Sequence, residues 1–208
     1  AQPGRRAPTP RTCSLPAGHG GKPESVEEVV ALINALPKPV TVSCLLETLD
    51  RPFHVDLSAG NFSLQPAFGE NNPRIMVQSG ALVMTVVPKG KGAGVVEFGV
   101  RRGNQSLKAE VAFPVTEELK PETPYARVYG QDGTVCRTCH FNERRADHID
   151  FADAYWSDLI APALENQVDR SYLDWVIQQC DPAVERERCA IFDAIFGPGD
   201  AVYQPLVP

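Results

Sequence analysis

No stretch of eighteen apolar residues occurs in this chain, so no transmembrane helix is expected. Lysine is absent beyond residue 125, and residues 126–208 carry seven arginines against fourteen aspartates and glutamates. That balance argues against a nucleic-acid partner, because neutralising phosphates needs basic clusters. It suits an acidic docking face for a basic protein partner, or simply a solvated acidic surface. A nucleophile–base pair and a phosphate-binding loop are also missing. The glycines around Lys89-Gly90-Lys91-Gly92 precede no helix and read as a hairpin loop. Residue 1 is alanine, neither methionine nor a lipid-bearing cysteine, so an export signal is expected to have been removed.

What is present is ordinary in bulk. The 208 residues are 43% hydrophobic and 22% charged with a net charge of −6, the profile of a globular chain of one or two domains. Residues 1–24 form a tail rich in proline and glycine, with no packed element expected. Ser25-Val26-Glu27-Glu28 has the form of a capping box, and Val26, Val29, Val30, Ile33 and Leu36 follow with amphipathic helical spacing. From Val40 the apolar residues alternate: Val40, Val42, Cys44 and Leu46, then Phe53, Val55 and Leu57. Phe62 and Leu64, then Ile75 and Val77, the run 81–87, then Val96, Phe98 and Val100, and finally Leu107, Ala109, Val111 and Phe113, set against Lys108 and Glu110, continue the series. Short strands at such spacing predict an antiparallel β-sandwich or barrel over residues 25–120, after one helix. Residues 121–208 read as a small helical domain, with helices near 151–160, 171–180 and 182–196. The last is expected to start at Asp181-Pro182 and stop at Gly197.

The chemistry concentrates in Cys136-Arg137-Thr138-Cys139-His140. Two thiols separated by two residues, with an imidazole directly after the second, form the attachment pattern of a c-type haem. Each thiol can make a thioether to a porphyrin vinyl group, and the histidine falls beneath the iron. Zinc, a redox dithiol or a disulfide are the other uses of such a pair. Cys13, Cys44, Cys180 and Cys189 remain, and their simplest pairing is 13–44 and 180–189. Two bridges would place the protein outside the cytoplasm, in the periplasm or beyond. Four buried free thiols, or zinc held by Cys136, Cys139, Cys180 and Cys189, are the alternatives.

These five residues resemble the cytochromes c. The resemblance implies one covalent haem per chain, Cys136 and Cys139 as its anchors and His140 as proximal ligand. It implies a helical haem domain and an electron-transfer role, with redox proteins or a larger assembly as partners. The small cytochromes c carry an axial methionine downstream of the histidine, and this chain has none there. The sixth-ligand candidates are therefore His148, then Met84 and Met76, then His54. Trp156 and Trp175 can cover a porphyrin edge or fill core. Two further function classes stay open: a haem sensor or enzyme subunit with an open sixth position, and a haem-free binding module stabilised by zinc or disulfides.

Overall fold

The computed structural model describes residues 10–59, 63, 65, 67, 71–197 and 201–206. The strand expected around Phe62 and Leu64 and the first nine residues of the tail lie outside them.

Helix α1 (Val26–Ala35) begins where the capping box placed it. The Ser25 hydroxyl accepts from Glu28 N–H at 3.2 Å, and the Glu28 carboxylate reaches back to Glu24 N–H at 2.7 Å. The reciprocal bond therefore lands one residue earlier than in the usual box. Ser25→Ala is expected to lower stability by about 1 kcal/mol, measured as a shift in the urea midpoint at constant slope.

The alternation from Val40 to Leu46 does not form a strand. Val42–Glu47 is helix α2, capped by the Thr41 hydroxyl, which accepts from Cys44 N–H. All six of its residues are buried, so apolar spacing over so short a run carried no information on period. Only Val40 keeps strand-like pairing, in a bridge to Val115.

Five antiparallel strands then form a meander: β1 (His54–Ser58), β2 (Arg74–Ser79), β3 (Leu82–Val86), β4 (Val95–Arg102) and β5 (Gln105–Ala112). Val55, Leu57, Ile75, Val77, Met84, Phe98, Leu107 and Ala109 join one buried cluster with α1 and α2. After α3 (Thr123–Val128) and the two-residue pair β6 (Tyr129–Gly130) and β7 (Gly133–Thr134), the chain returns to the large sheet. Strand β8 (Arg144–Arg145) pairs with β9 (Tyr155–Asp158), and β9 pairs with β5. Helices α4 (Arg170–Gln178) and α5 (Arg186–Phe196) follow, and β10 (Val202–Tyr203) lies parallel to β1. The sheet order is β10-β1-β2-β3-β4-β5-β9-β8. Both edges are two-residue strands, which limits edge-to-edge association.

This arrangement corrects the expected fold class of an antiparallel sandwich or barrel followed by a small helical cytochrome domain. The described residues build one mixed eight-stranded sheet and a two-stranded hairpin with five short helices. Residues 121–208 do not close on themselves: they supply β8, β9 and β10, and Leu173, Val176, Ile191 and Phe192 enter the same core as the meander. The helix expected over 151–160 is instead occupied by β9. Pairing of Leu107 with Trp156 and Gln105 with Asp158 decides it, and no local pattern reveals a partner some fifty residues away.

Both expected disulfides are present, Cys13–Cys44 and Cys180–Cys189. The second removes two of the four sulfurs from the zinc reading. It also shapes the start of α5. Asp181 caps only a turn, accepting from Ala183 N–H at 2.9 Å, and the helix proper begins at Arg186 and stops at Gly197.

Candidate functional site

The β6–β7 hairpin delivers the cysteine pair. Its turn uses Asp132 at φ 59° and Gly133 at φ 145°, the latter a value that disfavours any side chain. A Cβ on Gly133 would also fall 2.2 Å from the Glu143 carboxylate. Glu143 needs that approach, because it accepts from Thr134 N–H at 2.7 Å and from the Thr134 hydroxyl. Arg137 ties the turn down from the other side, donating to the carbonyls of Asp132 and Gln131 at 2.9 and 3.0 Å.

Residues Val135–Thr138 then form one tight helical turn. The Cys136 carbonyl accepts from both Cys139 N–H at 3.1 Å and His140 N–H at 2.9 Å. This turn brings both sulfurs and the imidazole into one local unit. Cys136 and Cys139 are free thiols, each partly buried. Burial pushes the Cys136 thiol up, outweighing its Thr134 hydrogen bond and the Lys108 charge that pull it down. Val135 and Phe141, which flank the motif, are apolar yet 45% and 63% exposed.

His140 Nδ1 lies 2.8 Å from the Asp158 carbonyl and 3.1 Å from Lys108 Nζ. Nδ1 can donate to the carbonyl or accept from the Lys108 ammonium but not both, and the shorter contact, to the carbonyl, favours donation. Nδ1–H donated there leaves Nε2 with a free lone pair, the arrangement typical of a metal-ligating histidine. Burial first, and then the Lys108 charge, lower the His140 pKa to about 4. The ring is therefore neutral at pH 7, as a ligand must be. Lys108 itself is lowered to about 8 by burial, against the opposing charges of Cys136, Glu97, Asp158 and Glu143. In the sequence neither Lys108 nor Asp158 carries a signal that ties it to His140. Both meet His140 only through β5–β9 pairing, which leaves no trace in local spacing.

The four candidate sixth ligands are scattered. Met84 is fully buried on β3, and Met76 packs with Val83 and Leu206. His54 is exposed on β1, five strands from β9, or about 24 Å at ~4.8 Å per strand. Met84 is three strands away, about 14 Å on the same spacing. His148 comes nearer, but its ring lies on Trp156 at 5.8 Å. Trp156 pairs with Leu107 and shares its side of the sheet, whereas the next residue, Lys108, faces the other side and meets His140 there. The sheet thus separates the two imidazoles. Trp156 is a core residue, and Trp175 pairs with Tyr172 on α4.

Among the described residues no group of three or more histidines, cysteines or acids is placed to hold a metal ion, and no helix is long and apolar enough to cross a membrane. Comparison with known protein families, with curated proteins and with solved structures finds no match for this chain. The expected kinship with the cytochromes c is corrected accordingly: the likeness ends with residues 136–140, and no helical domain of that kind surrounds them.

Proposed function

We propose that this chain is an exported, disulfide-stabilised sheet protein that carries one haem covalently on Cys136 and Cys139, outside any cytochrome fold. His140 would hold its iron, and none of His148, Met84, Met76 and His54 is brought beside His140, which suits a sensor or a redox-enzyme subunit. The observation that carries this reading is the His140 ring, which directly follows two unbridged thiols and whose Nδ1 lies 2.8 Å from the Asp158 carbonyl. The donor set fits the group: two unbridged thiols sit one helical turn apart in a chain whose other four cysteines are oxidised. Exposed Val135 and Phe141 provide apolar surface for a macrocycle edge to cover. Haem bound there would exchange single electrons and accept a small ligand at iron. The Asp158 carbonyl favours the tautomer with the proton on Nδ1. The two bridges favour a periplasmic or extracellular location.

The test is haem staining and a pyridine haemochrome assay on protein made in a haem-maturing host. One haem per chain is expected to comigrate with the polypeptide under denaturing conditions, and Cys136→Ala or Cys139→Ala should each weaken retention. His148→Ala is expected to leave the spin state unchanged. A change to high spin in that variant would make His148 the sixth ligand and return the chain to simple electron carriage. Absence of colour would leave the haem-free reading, a binding module stabilised by its two disulfides.

A further inference from the structure

Beside the cysteine turn, two tyrosines from different elements share one patch of surface. Tyr129 on β6 and Tyr155 on β9 have ring centroids 6.3 Å apart, with planes inclined by only 26°. Tyr129 is 42% exposed and Tyr155 is half-buried. Among the described residues neither phenol has a hydrogen-bond partner, whereas Tyr125 donates to Glu27 and Tyr172 to Asn71, and the Tyr203 hydroxyl is buried. The two backbones are held at this spacing. Tyr129 pairs with Thr134 across the hairpin, Glu143 accepts from Thr134 N–H at 2.7 Å, and Arg145 pairs with Tyr155. Partial burial first, and then the Tyr129 phenol, push the Tyr155 pKa up. The two phenolic ends therefore lie within electrostatic reach of each other, and Tyr155 is neutral at pH 7.

We infer that Tyr129 and Tyr155 form an oxidative cross-linking site, joined by a carbon–carbon bond between their Cε atoms when a peroxidase turns over hydrogen peroxide. Each phenol gives up one electron and one proton, and the two phenoxyl radicals couple at carbons ortho to oxygen. Each ring then passes the hydrogen of its joined carbon to its oxygen, which restores both phenols. The net change takes one hydrogen atom from each tyrosine, and these two reduce one hydrogen peroxide to two waters. Rings already held side by side couple within the chain faster than rings that must meet by diffusion. The bond ties the hairpin that leads into Cys136 to β9, the strand that also carries Asp158. The site does not rest on the haem reading, because an added enzyme supplies the one-electron steps in the test.

The full chain, its free thiols alkylated wherever no haem occupies them, is treated with an added haem peroxidase and hydrogen peroxide and then digested with trypsin. Mass spectrometry is expected to find peptide 128–137 joined to peptide 146–170, lighter by two hydrogen atoms than the two peptides apart. The yield should not depend on chain concentration. Tyr129→Phe and Tyr155→Phe should each abolish the product, and Tyr172→Phe should leave it unchanged. Phenylalanine keeps the ring in place and removes only an unbonded hydroxyl, so the variants test the chemistry rather than the fold. A product found only between chains, a cross-link that omits either tyrosine, or a yield that either phenylalanine variant leaves unchanged overturns the site.

Discussion

Phe192→Ala is expected to cost about 3–5 kcal/mol and to move the urea midpoint far down while leaving two-state behaviour intact. Phe192 is fully buried on α5, where that helix packs against α2, and the Arg188 guanidinium lies 5.3 Å from its ring. Both helices are short, so neither is stable alone and each depends on the surface it shares with the other. Truncation removes the aromatic side chain and leaves a cavity that two short, bridged elements cannot easily fill. The Cys180–Cys189 bond holds the start of α5 in place, which limits collapse into the gap. A loss below about 1 kcal/mol would mean that α5 contributes little to the core.

Removing the Cys13–Cys44 bridge, as Cys13→Ala with Cys44→Ala, is expected to cost about 3–4 kcal/mol. The bond closes a loop across 31 residues and fastens the chain's start to α2. It is assisted by Glu47, a buried carboxylate on the same helix, which accepts from Thr12 N–H and Cys13 N–H at 2.8 Å each. The variant therefore combines a freer unfolded chain with a weakened anchor. Trypsin should cut after Arg11 readily in the variant and slowly in the native protein. Equal cleavage in both, with an unchanged denaturation midpoint, would show that Glu47 alone suffices to hold the segment.

Much of this molecule could be read locally. Ser25 and Glu28 announce α1 because capping is chemistry between neighbours. The five meander strands follow from short alternating or continuous apolar runs in the sequence and from tight turns such as Gly80 and Gly103, both at positive φ. The two disulfides followed from counting cysteines once the pair at 136 and 139 was set aside. The short helix α2 was not legible, because six buried residues present no exposed face to reveal a period.

The cysteine spacing and the histidine beside it belong to the sequence, and so does the chemistry they are suited to. What the tertiary structure alone decided is the surroundings of that turn. Strand β9 was hidden because its partner β5 lies about fifty residues earlier, and pairing of that range depends on the whole chain's collapse. From it follow the Asp158 carbonyl at His140, the Lys108 ammonium beside it, and the opposite placement of His148 on Trp156. The sequence determined which groups the site contains, because spacing within one helical turn fixes them. Only the sheet decided what faces them, because alternating side chains on β5 send Leu107 to one side and Lys108 to the other.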